Sequence, residues 1–245
     1  PGLFRRFDAW YYNHCDFVTA PYQGLITRMQ EKGLRTPTRV VANPVALDIF
    51  SPVSRGGKVD HKRAFNMRGP TVLYVGRLGV EKNVDTVLRA VARVAPQFPD
   101  LTFALTGHGA AEEGLKRLAR KLGIEQQVHF FGFIPRMTLA NLYKAADVFA
   151  MMSTSDSQSI GLMQAYASGI PAVCARARGL PDYTPPDCGF LVNPNDVSAL
   201  AGHLTQLLQE YALRERMGDA AVNYVKQFSP ERIAEEWEKI FTEAK

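Results

Sequence analysis

The chain has 245 residues, 46% of them hydrophobic and 22% charged, the range of an ordinary globular protein with room for one large core or two modest ones. No run of about eighteen apolar residues occurs, which excludes a membrane-spanning helix. A formal charge of +5 and a pI near 9.2 admit an anionic partner, but the basic residues form no aromatic-interleaved stripe, so no nucleic acid is expected.

Residues 3–14 carry Arg5, Arg6, Trp10, Tyr11 and Tyr12. They read as an amphipathic helix, either packed on a sheet or lying on a membrane surface. Residues 16–20 follow as a buried strand, 23–32 as a helix stopped by Gly33, and 38–42 as a second strand. Residues 53–69, with paired glycines and Arg55, Lys58, Lys62, Arg63 and Arg68, read as a linker or surface excursion whose charge is solvated. From Pro70 apolar strands alternate with amphipathic helices: strands at 71–75, 101–106, 128–131, 148–151, 171–174 and 189–192. The fold class this implies is α/β, a parallel sheet covered by helices on both faces. Ligands of such sheets bind beyond the carboxyl ends of the strands. Cys15, Cys174 and Cys188 lack C-x-x-C spacing and read as free thiols in a reducing, cytoplasmic compartment. The sequence opens on Pro1 and reads as a piece of a longer protein.

Four turns at those carboxyl ends carry the chemistry. After the first strand, Gly76-Arg77-Leu78-Gly79-Val80-Glu81-Lys82-Asn83 offers two cations and glycines that suit a diphosphate. A surface ion pair between Glu81 and Lys82 is the plainer alternative. After the second, Gly107-His108-Gly109 makes a tight turn, and its histidine has no acidic partner in view. After the third comes Phe131-Gly132-Phe133-Ile134-Pro135, a strand end closed by a proline-bounded turn. After the fourth, the polar cluster Ser153, Thr154, Ser155, Asp156 and Ser157 runs into an apolar helical segment, whose amides and positive dipole end form an anion site. Ser157, Gln158, Ser159, Ile160 and Gly161 supply amides and hydroxyls there. Gln164 lies eight positions beyond Asp156, about 10 Å along a helix, so that one polar side chain can hold each end of a nucleotide sugar.

Together these stretches resemble the retaining glycosyltransferases of family 4 (group 1), with the GT-B fold. The segment S-D-S-Q-S-I-G-L-M-Q-A-Y-A-S-G-I-P-A-V is similar to the family's E-x7-E signature, with Asp156 and Gln164 in the two carboxylate places and Ser159 where Gly is common. G-R-L-G-V-E-K-N, G-H-G-A, F-G-F-I-P and A-R-G-L-P-D resemble further family motifs. So do V-V-A-N-P-V-A-L-D-I-F-S-P and the closing F-S-P-E-R-I-A-E-E-W, in which Ser229 is the expected N-cap and Pro230 the first helical residue.

The resemblance implies that Arg77 and Lys82 neutralise the donor's pyrophosphate and Asp156 orients the sugar, these three being the catalytic set. It implies that Gln164 holds the ribose, the main chain at Phe133 meets the base, and Gly76, Gly107, Gly109, Ser157, Ser159, Ile160 and Gly161 line the site. It also implies residues 1–52 as a remnant of an acceptor domain with its crossover, 53–226 as a donor-binding domain with a Rossmann-like sheet, and 227–245 as a returning crossover helix. The reaction implied is hexose transfer from a nucleoside-diphosphate sugar to an acceptor hydroxyl with retention, with no metal, cofactor or protein nucleophile. The implied acceptor is a lipid or glycan, reached through the rest of the first domain, with peripheral contact on the cytoplasmic membrane face as an option. The fragment itself is expected to bind donor without transferring it. A nucleotide-sugar epimerase of the same architecture and a non-catalytic donor-binding partner stand as alternatives.

Overall fold

A computed structural model describes residues 10–243. The expected first helix lies outside the described residues over 3–9; residues 10–12 are helical. In chain order the elements are β1 (Val18–Ala20), α1 (Gln23–Glu31), β2 (Thr38–Val40), α2 (Arg55–Ala64), β3 (Thr71–Val75), α3 (Val84–Val94), β4 (Thr102–Thr106), α4 (Glu112–Lys121), β5 (Val128–Phe130), α5 (Arg136–Ala145), β6 (Val148–Met151), α6 (Ile160–Ala167), β7 (Ala172–Ala175), β8 (Gly189–Val192), α7 (Val197–Gln209), α8 (Tyr211–Val225) and α9 (Pro230–Glu243).

Strands β3 to β8 form one parallel sheet in the order β5-β4-β3-β6-β7-β8. Val72, Leu73, Phe103, Ala104, Val148, Phe149, Ala172 and Val173 are fully enclosed, which is why these strands are continuously apolar. This is the α/β fold that the alternation of strands and helices implied. From β3 the chain winds outward through β4 to β5, then returns to β6 on the other side of β3 and winds the opposite way to β8. The reversal lies between β3 and β6, paired at Val72 with Val148 and Leu73 with Phe149, so the loops leaving these two strands part and open a crevice.

Residues 53–69 correct the sequence expectation: they hold helix α2, capped by Ser54, whose hydroxyl accepts from the Gly57 amide at 3.3 Å. No residue of α2 is buried, so apolar periodicity gave no sign of it. Two of its cations anchor it instead. Lys62 reaches the buried Asp147 carboxylate at 2.5 Å and Lys58 reaches it at 3.6 Å. Lys58 and Lys62 also donate to the carbonyls of Ala146 and Gly69, and Asp147 accepts from the Thr71 amide at 2.9 Å. Burial pushes the Lys58 ammonium down from its ordinary value. Burial alone would raise Asp147, but the Lys62 and Lys58 ammonium groups outweigh it and hold the carboxyl below the usual range.

Strands β1 and β2 pair in parallel as a separate two-stranded sheet. Tyr22, Val41, Val45 and Phe50 nevertheless share the core of the six-stranded layer. The Val45 amide donates to the Phe228 carbonyl at 2.9 Å and the Tyr183 hydroxyl to Pro21. Ser229 caps α9 as expected, accepting from the Arg232 amide at 3.4 Å. Cys174 and Cys188 are buried, and burial pushes their thiols up to about 12 and about 11; Cys15 is exposed.

Candidate functional site

The turn after β3 is shaped from below. The Tyr74 hydroxyl, its pKa raised by burial and then by Asp156 and Glu81, donates to the Arg77 carbonyl at 2.8 Å. The neighbouring turn closes against it: the Gly76 amide donates to Thr106 O at 3.2 Å, Leu78 N to His108 O at 2.9 Å and Ala111 N to Leu78 O at 2.9 Å. Gly107 has φ +113, and a Cβ there would meet Gly76 O at 2.1 Å, so only glycine permits this approach. The turn after β5 joins the same row, with the Gly107 amide on Gly132 O at 2.8 Å. Gly76, Gly107, Gly109 and Phe133 therefore occupy one hydrogen-bonded rim.

Across the switch point, the loop after β6 is tied to the loop after β3. Thr154 N donates to Glu81 O at 3.0 Å, and Asn83, in a left-handed conformation, donates from its side chain to Met152 O at 3.0 Å. The closest link between charged groups is Lys82 Nζ on Asp156 Oδ2 at 2.9 Å, with Ser155 Oγ at 3.3 Å. Both partners are largely enclosed, Lys82 with 14% and Asp156 with 18% of its side chain exposed. The pairing differs from the surface pair considered for Glu81 and Lys82: Glu81 takes Arg77 instead, at 2.5 Å, and the Arg77 side chain stands 72% exposed.

Helix α6 begins at the crevice. The Ser159 hydroxyl accepts from the Leu162 amide at 3.2 Å and so caps the helix. The amides of Ile160 and Gly161 have no intrahelical acceptor by the geometry of a first turn. Gly161 lets the helix lie against β3, because a Cβ there would stand 2.9 Å from Val75 O. Gln164 is half-buried. The Tyr143 hydroxyl lies 3.2 Å from its Oε1 and 2.9 Å from Gly161 O; its one proton serves one of them at a time. Ser157 is half-buried in the same loop, and Ile160 is exposed beside it.

Several residues of the quoted motifs make contacts that the sequence did not predict. Gln158, read as a donor of polar groups to a ligand, is buried and grips Asn43 in the segment after β2, its Oε1 accepting from Asn43 N at 2.5 Å and Nδ2 at 3.0 Å. Arg178 adopts φ +55 and donates from Nε to Thr154 O at 3.2 Å, while Gly179 N donates to Asp156 O at 3.1 Å. These two bonds brace the Asp156 loop from the far side. His108 does have an acidic partner, Glu112 at 3.1 Å, four residues on and across the start of α4; that spacing was the available signal. Among the described residues no group of three or more His, Cys, Asp or Glu could hold a metal ion. A cavity of about 770 Å³ lined by Tyr22, Tyr183, Tyr224, Phe228 and Arg232 includes none of the predicted site residues. No helix among the described residues is long and apolar enough to cross a membrane.

The chain is 32% identical over 214 residues to the D-inositol 3-phosphate glycosyltransferase of Corynebacterium diphtheriae, covering 84% of this chain and 50% of that protein. It spans about half the length of that curated relative. Its fold is that of sucrose-phosphate synthase from Thermosynechococcus elongatus, with a TM-score of 0.88 at 24% identity over 99% of this chain and 61% of that one. It is likewise that of Anabaena HepE, solved with UDP-glucose, with a TM-score of 0.88 at 22% identity over 97% of this chain and 67% of that one. These are GT-B architectures, and the family described as glycosyl transferases group 1 matches residues 58–224. With that match over most of the sheet and its loops, the chain belongs to the group 1 glycosyl transferases.

Proposed function

We propose that this chain is the donor-binding part of a retaining hexosyltransferase that uses a nucleoside-diphosphate sugar. The observation that carries the reading is the 2.9 Å contact of Lys82 with Asp156 across the β3–β6 switch point, beside the first turn of α6. It sets a cation for phosphate and a carboxylate for sugar hydroxyls side by side in one crevice. The HepE complex with UDP-glucose, of the same fold, supports a uridine donor.

In this mechanism the bond from the sugar's anomeric carbon to the diphosphate breaks and negative charge grows on the departing oxygens. Lys82, Arg77 and the amides at the start of α6 stabilise that charge, which is electrostatic catalysis. The acceptor oxygen bonds to the anomeric carbon on the face the diphosphate leaves, and its proton passes to the departing phosphate. Asp156 orients the sugar hydroxyls, Gln164 holds the ribose, and the turn at Phe133 borders the base. The acceptor, a lipid or glycan hydroxyl, is held by the portion of the relatives' length that this chain does not span.

Calorimetry with UDP, GDP and ADP, alone and as their sugar conjugates, tests the reading. Binding of one nucleoside diphosphate is expected, with negligible transfer by these 245 residues. Failure of all three to bind would overturn the donor site, and rapid transfer would overturn the division of labour.

A further inference from the structure

His108 is an exposed side chain, yet both of its ring nitrogens are engaged. Phe133 N donates to His108 Nε2 at 3.1 Å, so that nitrogen presents its lone pair and the ring proton sits on Nδ1. Nδ1–H then donates to Glu112 Oε2 at 3.1 Å, and Glu112 Oε1 accepts from Lys116 Nζ at 2.9 Å. The hydrogen bonds from Lys116 and then His108 hold the Glu112 carboxyl below its ordinary value, keeping it a charged acceptor. The imidazole also lies against Gly132, where a Cβ would stand 2.8 Å from His108 Cε1 and where φ is +63. A chain of three bonds thus runs from helix α4 to one backbone amide of the turn after β5. A solvated histidine would leave its ring free to rotate; this one is fixed in tautomer and plane.

We infer that His108 is a positioning residue, which holds the turn at residues 131–135 in the shape that receives the nucleoside base, with Glu112 fixing its tautomer. The inference rests on the proposed donor site, and adds to it the residue that sets the base-binding turn. With its amide committed to His108, Phe133 keeps its carbonyl for a ligand, and its ring, 84% exposed, stands open beside it.

The test measures dissociation constants by calorimetry for wild type, His108→Ala and His108→Gln, with UDP and with inorganic pyrophosphate, which has no base. His108→Ala should weaken UDP about tenfold or more, the worth of one well-placed hydrogen bond, and leave pyrophosphate unchanged. His108→Gln, whose amide oxygen can accept from Phe133 N, should stay within about threefold of wild type for UDP. Equal UDP binding by wild type and His108→Ala would overturn the inference, as would a parallel loss of pyrophosphate or a Gln variant as weak as Ala. Failure of wild type to bind any nucleoside diphosphate is a separate result, which removes the donor site and this inference with it.

Discussion

Lys82 and Arg77 are two cations five residues apart, yet the fold treats them differently. Lys82 is enclosed and held by Asp156, whereas Arg77 is exposed and pairs with Glu81. An enclosed cation is less screened by water and loses less freedom when a phosphate replaces its partner. Lys82→Ala should therefore weaken nucleoside-diphosphate binding about 30-fold, roughly 2 kcal/mol, and Arg77→Ala by less than about tenfold. Calorimetry on the two variants decides it; equal losses would show that the Asp156 contact does not prepare the site. The sequence supplied both cations, Asp156 and Gln164, because motif spacing at strand ends is a property of the chain alone. It did not supply Gln158 on Asn43 or Arg178 on Thr154, because those partners are 115 and 24 residues apart and meet only through the tertiary fold.

At the scale of elements, the sheet was legible and α2 was not, for one physical reason. A buried parallel strand writes its environment into continuous apolar residues, and 148–151 and 189–192 coincide with β6 and β8. Helix α2 buries none of its residues and is held by ion pairs, which leave no apolar periodicity. Asp147→Asn should expose that dependence by removing the carboxylate that Lys58 and Lys62 share, at a cost of about 2–4 kcal/mol. The folded state holds the Asp147 carboxyl below its unfolded value of about 3.9, so the unfolded chain takes up the proton first. Its contribution is complete above about pH 4 and disappears as the pH falls through the depressed folded value. Urea midpoints of wild type and variant should differ fully at pH 7 and 5 and draw together below pH 4; a constant gap down to pH 3 would show that the charge of Asp147 is not what anchors α2.

At the scale of the whole molecule, the open matter is how a two-stranded sheet of three-residue strands persists beside a six-stranded one. Such a ribbon is not stable in water by itself, so β1 and β2 must draw on the larger layer. They do so through Tyr22, Val41, Val45 and Phe50 in the common core, and through the Gln158–Asn43 bonds. Helix signals by circular dichroism and fluorescence of Trp10 and Trp237 should accordingly report one coincident unfolding transition. Gln158→Ala would remove the bonds to the exposed Asn43 amide and side chain, which water can then satisfy, at a cost of about 0.5–1.5 kcal/mol per bond lost. The loss falls on the junction and not on the large sheet. Hydrogen exchange should therefore quicken at Val18 and Val41, whose amides bond to Pro37 O and Ala20 O, while Val72 to Tyr74 follow the global stability. Because Gln158 stands two residues after Asp156, nucleoside-diphosphate affinity should fall in the same variant. Uniform acceleration across both sheets would mean that they open as one unit. Faster exchange in β1 and β2 with unchanged affinity would mean that Gln158 braces the junction without shaping the Asp156 loop.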